Sequence, residues 1–158
     1  MPRASRYLGI YLNDHLAGST AGVELIKRAA REHASAELGV FLRTLASELE
    51  EDREALRTMM RELGVREQRA KVALGWTAEK LGRLKLNGHV LSRSPLTPLV
   101  ELEGLALGVF GKRQMWLALA ELPLGDDVHA RCAELAERAQ HQLDGLEEQR
   151  LRAARAID

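Results

Sequence analysis

Residues 36–64, AELGVFLRTLASELEEDREALRTMMRELG, decide the fold because they predict one long amphipathic helix. Apolar residues recur at helical spacing along this stretch: Leu38, Phe41, Leu45, Leu56, Met59 and Leu63. Gly64 is expected to end the helix in the left-handed conformation, with the apolar Val65 behind it. At 1.5 Å per residue such a helix is roughly 42 Å long.

A second helix of similar length is predicted just before this one, from about Ser5 to Glu32. We expect its buried stripe to consist of Tyr7, Tyr11, Asp14, Gly18, Ala21 and Leu25. Residues 33–35 form a tight connection, in which Ser35 is expected to cap the following helix. Two long helices joined by so few residues must lie antiparallel.

The C-terminal half predicts a second pair of long helices after a long connection. The first of the two begins near Ser94-Pro95 or Thr97-Pro98 and runs to about Leu122, and Asp126 is expected to cap the last. The connection, residues 67–95, contains a weaker amphipathic helix at 67–86. Because strand patterns are nearly absent, we predict an all-α fold in a single domain, residues 1–158.

This order of elements resembles the ferritin-like four-helix bundles. The resemblance implies an up-down-down-up bundle with the short fifth helix in the long crossover. It also implies a pair of iron or manganese ions held by Glu and Glu-x-x-His ligands from four helices. The sequence contains no Glu-x-x-His: Glu48 and Glu51 keep the spacing without the histidine, while Glu137 and His141 are four residues apart.

Asp14 and Asp52 are the most informative candidates for a site, because each carboxylate falls on a predicted apolar stripe. A buried carboxylate needs a hydrogen-bonding partner, a cation or a metal ion. One hypothesis is a residual metal site for iron or manganese, with the ligands Asp14, His15, Glu48 and Asp52. The favoured hypothesis is a buried polar network of Asp14, His15, Asp52, Lys112 and Arg113, without a resident cofactor.

Three glycines on the third long helix, Gly104, Gly108 and Gly111, predict the close approach of another backbone, with Gly18 and Gly22 as the expected counterpart. Cys132 and Trp116 have the spacing of core residues. The solvated stripe of the last helix is expected to carry Glu134, Glu137 and His141.

The composition excludes some classes of function. Acidic and basic residues number 23 each, so no basic excess favours nucleic acid or an anionic membrane. No run of apolar residues approaches the ~20 of a membrane span, and we expect a cytoplasmic protein.

Three functions remain as hypotheses. The leading one is a non-enzymatic ferritin-like bundle that acts in assembly or in binding a protein partner, including itself. The alternative is a divergent iron- or manganese-dependent oxidoreductase or metal-binding protein. The third is a bundle that binds a small ligand at its glycine-lined face.

Overall fold

The computed structural model describes residues 5–68 and 94–157. These residues form four α-helices and no strand: α1 (Arg6–Glu32), α2 (Glu37–Glu62), α3 (Leu96–Ala120) and α4 (Asp126–Arg155). The all-α prediction with four long helices is therefore confirmed for this part of the chain. The predicted crossover helix lies almost entirely outside the described residues, and the single domain and the bundle topology stay predictions.

The chain divides into two compact units, Met1–Leu86 and Asn87–Asp158. The first contains α1 packed on α2, and the second contains α3 packed on α4. Each pair is joined by a short connection and so forms an antiparallel helical hairpin, as the sequence predicts.

Two capping residues were predicted for the first hairpin, of which Gly64 is confirmed and Ser35 is not. The Ser5 hydroxyl accepts a hydrogen bond from the Leu8 backbone N–H at 3.2 Å and caps α1. Gly64 has φ +67°, and the Val65 N–H donates to the Met60 carbonyl at 2.8 Å, which closes the end of α2. The expected Ser35 cap is wrong, because the residue with extended backbone before α2 is Ala36.

The predicted Asp126 cap of the last helix is also wrong by one residue. Gly125 occupies the N-cap position with φ +97°, a backbone conformation that side-chain-bearing residues rarely adopt. Asp126 and Asp127 are instead the first helical residues, where their charges favour the positive end of the helix dipole.

The first hairpin buries one face of each helix. The face of α2 is the predicted one: Leu45, Asp52, Leu56, Met59 and Leu63 are all buried. The face of α1 is the predicted one only at Leu25, since the other buried aliphatic residues lie outside the predicted stripe: Leu12, Leu16, Val23, Ile26, Ala29 and Ala30. Tyr7 is 81% exposed and Asp14 is also exposed. At 100° per residue, Asp14 lies about 200° around the helix from Leu12.

The second hairpin has an aliphatic core with one large aromatic side chain. Trp116 and Cys132 are fully buried, as predicted, together with Leu102, Leu105, Val109, Met115, Leu119, Val128, Ala136, Ala139 and Leu146. None of the helices in the two described ranges combines the length and the apolar character needed to cross a membrane.

The close approach predicted between the glycines of α3 and those of α1 joins the two hairpins and stays a prediction. A Cβ placed at Gly22, Gly108 or Gly111 meets no atom within 4 Å among the described residues. A close approach occurs at Gly39, in the first turn of α2. A Cβ there would lie 2.8 Å from the carbonyl carbon of His33 and 3.1 Å from the Cα of Ala34.

We therefore expect Gly39→Ala to destabilise the protein by about 1–3 kcal/mol, the range for forcing a backbone apart in a packed site. Gly22→Ala is the matched control, because it adds the same methyl group inside a helix with open space around it. It should stabilise by up to about 1 kcal/mol. Urea denaturation followed by circular dichroism measures both, and equal effects of the two substitutions would contradict the close contact.

Candidate functional site

The structure places the predicted acid and histidine of α1 side by side near its surface. Asp14 is exposed, while His15 is half-buried and packs edge-on against Tyr11 with ring centroids 4.6 Å apart. Burial lowers the pKa of His15, and the neighbouring Asp14 charge opposes that shift only in part. Burial thus favours the neutral form of the imidazole. The expected burial of Asp14 is wrong, because at this level of α1 the buried side is formed by Leu12, Asn13 and Leu16.

The two predicted site residues of α2 lie deeper. Asp52 is 3% exposed and engages in a polar interaction, and Glu48 is half-buried one turn before it. Over residues 5–68 and 94–157, no three His, Cys, Asp or Glu side chains group as a metal site requires. The metal assignment of Asp14, His15, Glu48 and Asp52 stays a hypothesis.

The predicted cations belong to the second hairpin. The Lys112 ammonium donates to the Gln142 side-chain carbonyl at 2.5 Å, and Gln142 is buried. Arg113 is half-buried, and its Nε lacks a hydrogen-bond partner among the described residues. The predicted network of these cations with Asp14, His15 and Asp52 joins the two hairpins and stays a prediction.

The buried polar residue on the inner face of α1 is Asn13, whereas the sequence pattern favoured its neighbour Asp14. Asn13 is 4% exposed. Its amide nitrogen donates to the Gly9 carbonyl at 2.8 Å and the Arg66 carbonyl at 3.1 Å, and its oxygen accepts the Gln68 backbone N–H at 2.7 Å. Asn13 therefore fastens the chain that leaves α2 onto α1.

Helix α3 exposes several large apolar side chains on one side. One stripe, which we call the α3 outer face, consists of seven exposed residues and the half-buried Val100: Leu96, Val100, Glu103, Leu107, Phe110, Gln114, Leu117 and Glu121. Leu107 is 75% exposed and Phe110 is 52% exposed. Single exposed apolar residues are ordinary, but Leu96, Leu107, Phe110 and Leu117 share one face of one helix, which makes that face a candidate binding surface.

The exposed face of α4 shows the ordinary alternative. It carries charged and polar side chains, including Glu134, Glu137 and His141, as predicted. Arg150 forms a two-pronged hydrogen bond with Glu147, and Arg152 bonds Glu148 at 2.6 Å. The two helices of one hairpin thus differ in the chemistry they present to solvent, and only α3 presents an apolar row.

Sequence reasoning missed both Asn13 and the α3 outer face, although the second had a signal. The α3 segment contains only four charged residues in 25, so it is apolar around its whole circumference. A helix of that kind is normally buried on all sides, and packing against α4 covers only one side of α3.

Comparison with known proteins adds no identity, since no protein-family model, curated protein or solved structure matches the chain.

Proposed function

We propose that the chain is a non-catalytic, cytoplasmic helical protein that acts by binding a protein partner or by assembly. The observation that carries this proposal is the α3 outer face, an exposed apolar row on a helix whose partner α4 exposes charges. A ferritin-like, up-down-down-up arrangement of the helices belongs to the same proposal. It is supported by two long helical hairpins in the order that such bundles use.

The arrangement of acidic residues supports a binding role over metal-dependent redox chemistry. Asp14 faces outward, and the buried position beside it holds the amide of Asn13, which already makes three hydrogen bonds. A neutral amide with its donors and acceptor in use is a poor substitute for a carboxylate ligand. Only Asp52 combines deep burial with negative charge among the four proposed metal ligands.

A photo-crosslinking amino acid placed at Phe110 tests the binding role in cells of the source organism. Substitution of Val40, which is 56% exposed on α2, serves as the matched control because it is apolar, exposed and outside the α3 outer face. We expect a discrete crosslinked product from position 110 and none from position 40. No product from position 110, or the same products from both, would overturn the proposal.

Reconstitution with ferrous iron and with manganese tests the alternative metal-dependent oxidoreductase. We expect the protein to retain no stoichiometric di-metal centre after desalting, because the ferritin-like ligand set of four helices is incomplete. Elemental analysis gives the metal content per chain. A stoichiometric metal pair that is lost in Asp52→Ala, accompanied by oxygen consumption, would overturn the binding proposal in favour of an oxidoreductase.

A further inference from the structure

The α3 outer face has the spacing of a coiled-coil seam. From Leu96 to Glu121 its eight residues are separated alternately by four and three positions, without interruption over the whole helix. This 3.5-residue period keeps a seam facing one partner helix along its length. The α3 outer face can therefore pack along the whole length of a second long helix.

The order of residues in the seam also matches a second copy of itself. We propose that two copies of this chain associate through α3 in antiparallel orientation, about a two-fold axis between Leu107 and Phe110. This inference rests on the proposed binding role and names the partner. The axis pairs Leu107 with Phe110 of the second copy, and Val100 with its Leu117. It also pairs Glu103 with Gln114 of the second copy.

The charges of the seam favour antiparallel over parallel pairing. In a parallel, in-register pair Glu103 faces Glu103 and Glu121 faces Glu121, and like charges across an interface repel. In the antiparallel pair, the Gln114 amide can donate to the Glu103 carboxylate of the second copy. Glu121 lies level with the first residue of the opposite α3, where the helix dipole favours negative charge.

Arg113 adds a cation at the level of this polar layer. It flanks Gln114, and the antiparallel pairing brings it within one residue of the level of Glu103 in the second copy. Glu103 lies 3.8 Å from Arg150 of its own chain, and its side chain remains 49% exposed. The carboxylate is therefore accessible to a second cation.

Small residues line one side of the seam and allow two backbones to come close. Thr97, Gly104, Gly111 and Ala118 are spaced by seven, on the same flank of the row. Glycine inside a helix costs ~0.5–1 kcal/mol relative to alanine. A Cβ at Gly111 would meet no atom within 4 Å among the described residues, so packing around Gly111 does not require a glycine.

The size of the interface sets the expected affinity. The seam and its two flanks comprise roughly 16 residues a side, below the ~20–30 of a standard interface. We therefore expect a reversible dimer with a dissociation constant in the micromolar range rather than an obligate one.

Sedimentation velocity over a concentration series tests the dimer. The double substitution Leu107→Glu with Phe110→Glu should weaken association at least ~100-fold, because it places carboxylates opposite carboxylates at the centre of the seam. Its melting temperature at low concentration should equal that of the parent, since both side chains are exposed in one chain. Val40→Glu is the matched control and should leave association unchanged.

Charge exchange makes the test specific for the proposed pairing. The double substitution Leu107→Lys with Phe110→Lys should also be monomeric, and mixing it with the glutamate variant should restore a one-to-one heterodimer. Single-cysteine variants at Val100 and Leu117, in a Cys132→Ala background, report orientation. Oxidation of their mixture should link position 100 to position 117, whereas links between identical positions would overturn the antiparallel pairing.

The outcomes separate this inference from the proposed function. A parent protein that stays monomeric up to millimolar concentration, or a dimer that both charge variants leave intact, overturns the inference. If position 110 then crosslinks to a different protein, or to another segment of its own chain, the second copy is not the occupant. Crosslinking to a different protein would leave the proposed binding role intact. If position 110 crosslinks neither to a different protein nor to a second copy, both the binding role and the dimer are overturned.

Discussion

Replacing Asp52 with alanine should lower the free energy of unfolding by ~3–5 kcal/mol, the range for removing one member of a buried charged network. Asp52 is 3% exposed and holds a polar interaction on the buried face of α2. The truncated side chain leaves the partner of Asp52 without this interaction and leaves a gap between apolar neighbours. Thermal and urea denaturation of Asp52→Ala and Asp52→Leu measure the loss.

The two substitutions distinguish stability from function. Glu51→Ala is the control, because Glu51 is the exposed acidic neighbour and should change stability by no more than ~0.5 kcal/mol. If both Asp52 variants melt like the parent, the buried charge plays no structural part and the argument fails. Greater stability of Asp52→Leu than of the parent would show that the charge is retained for function, since apolar replacement of buried ions is often stabilising.

The buried face of α2 could be predicted because no other side of this helix is apolar enough to be buried instead. Its outer side carries glutamates and arginines, so one stripe of apolar residues stands out, and Asp52 is conspicuous as the exception. Burial of Asp52 is therefore visible in the spacing alone. What the spacing cannot supply is the group that neutralises it, because that depends on packing between helices.

The face of α1 could not be predicted, because both sides of this helix carry large apolar residues. Tyr7 and Tyr11 lie on one side, and Leu12 and Leu16 lie on the other. Tyrosine tolerates exposure through its hydroxyl, whereas burial of aliphatic side chains removes more unfavourable surface from water. The aliphatic side is the one that is buried, and this orientation of α1 places Asp14 outward and Asn13 inward.

Of two glycines in α2 and at its end, the role of one could be predicted from the sequence and the role of the other could not. Gly64 follows a clear apolar pattern and precedes an apolar residue, so its left-handed conformation could be predicted. Gly39 lies inside the first turn of α2, where the sequence gives no sign of a neighbouring backbone. The need for glycine there arises from how the connection at residues 33–36 folds back, and only three-dimensional coordinates reveal it.

The apolar character of α3 could be predicted from the sequence, but the exposure of its outer face could not. A helix that is apolar on every side predicts burial on every side, and a four-helix bundle accounts for such a helix without any partner. The structure adds the exposed fractions of Leu107 and Phe110, which identify the row that α4 does not cover within the second hairpin.

Replacing Asn13 with aspartate should destabilise the protein by ~3–5 kcal/mol near pH 7, comparable to an uncompensated buried charge. The shape is kept, but the two N–H donors to the Gly9 and Arg66 carbonyls are replaced by an oxygen. A carboxylate facing two carbonyl oxygens is both desolvated and repelled. Only the hydrogen bond from the Gln68 N–H continues to favour the charged form.

The pH dependence identifies the cause of this loss. Burial and the two carbonyls should raise the pKa of the new carboxyl group in the folded protein above its value in the unfolded chain. The unfolded chain then loses the proton first, so the variant loses stability as the pH rises through the folded pKa. It should approach the parent in stability below the unfolded value of about 4, where the protonated group can again donate.

Two further variants complete the argument about the Asn13 position. Asn13→Ala should cost about 1–3 kcal/mol at every pH, because it leaves the same backbone groups without partners but introduces no titrating group. Asp14→Asn, an exposed change next to it, should stay within ~0.5 kcal/mol of the parent. Urea denaturation from pH 4 to pH 8 measures all three. If Asn13→Asp shows no dependence on pH relative to Asn13→Ala, or if Asp14→Asn is the more damaging change, the inner face of α1 runs through Asp14 and not through Asn13.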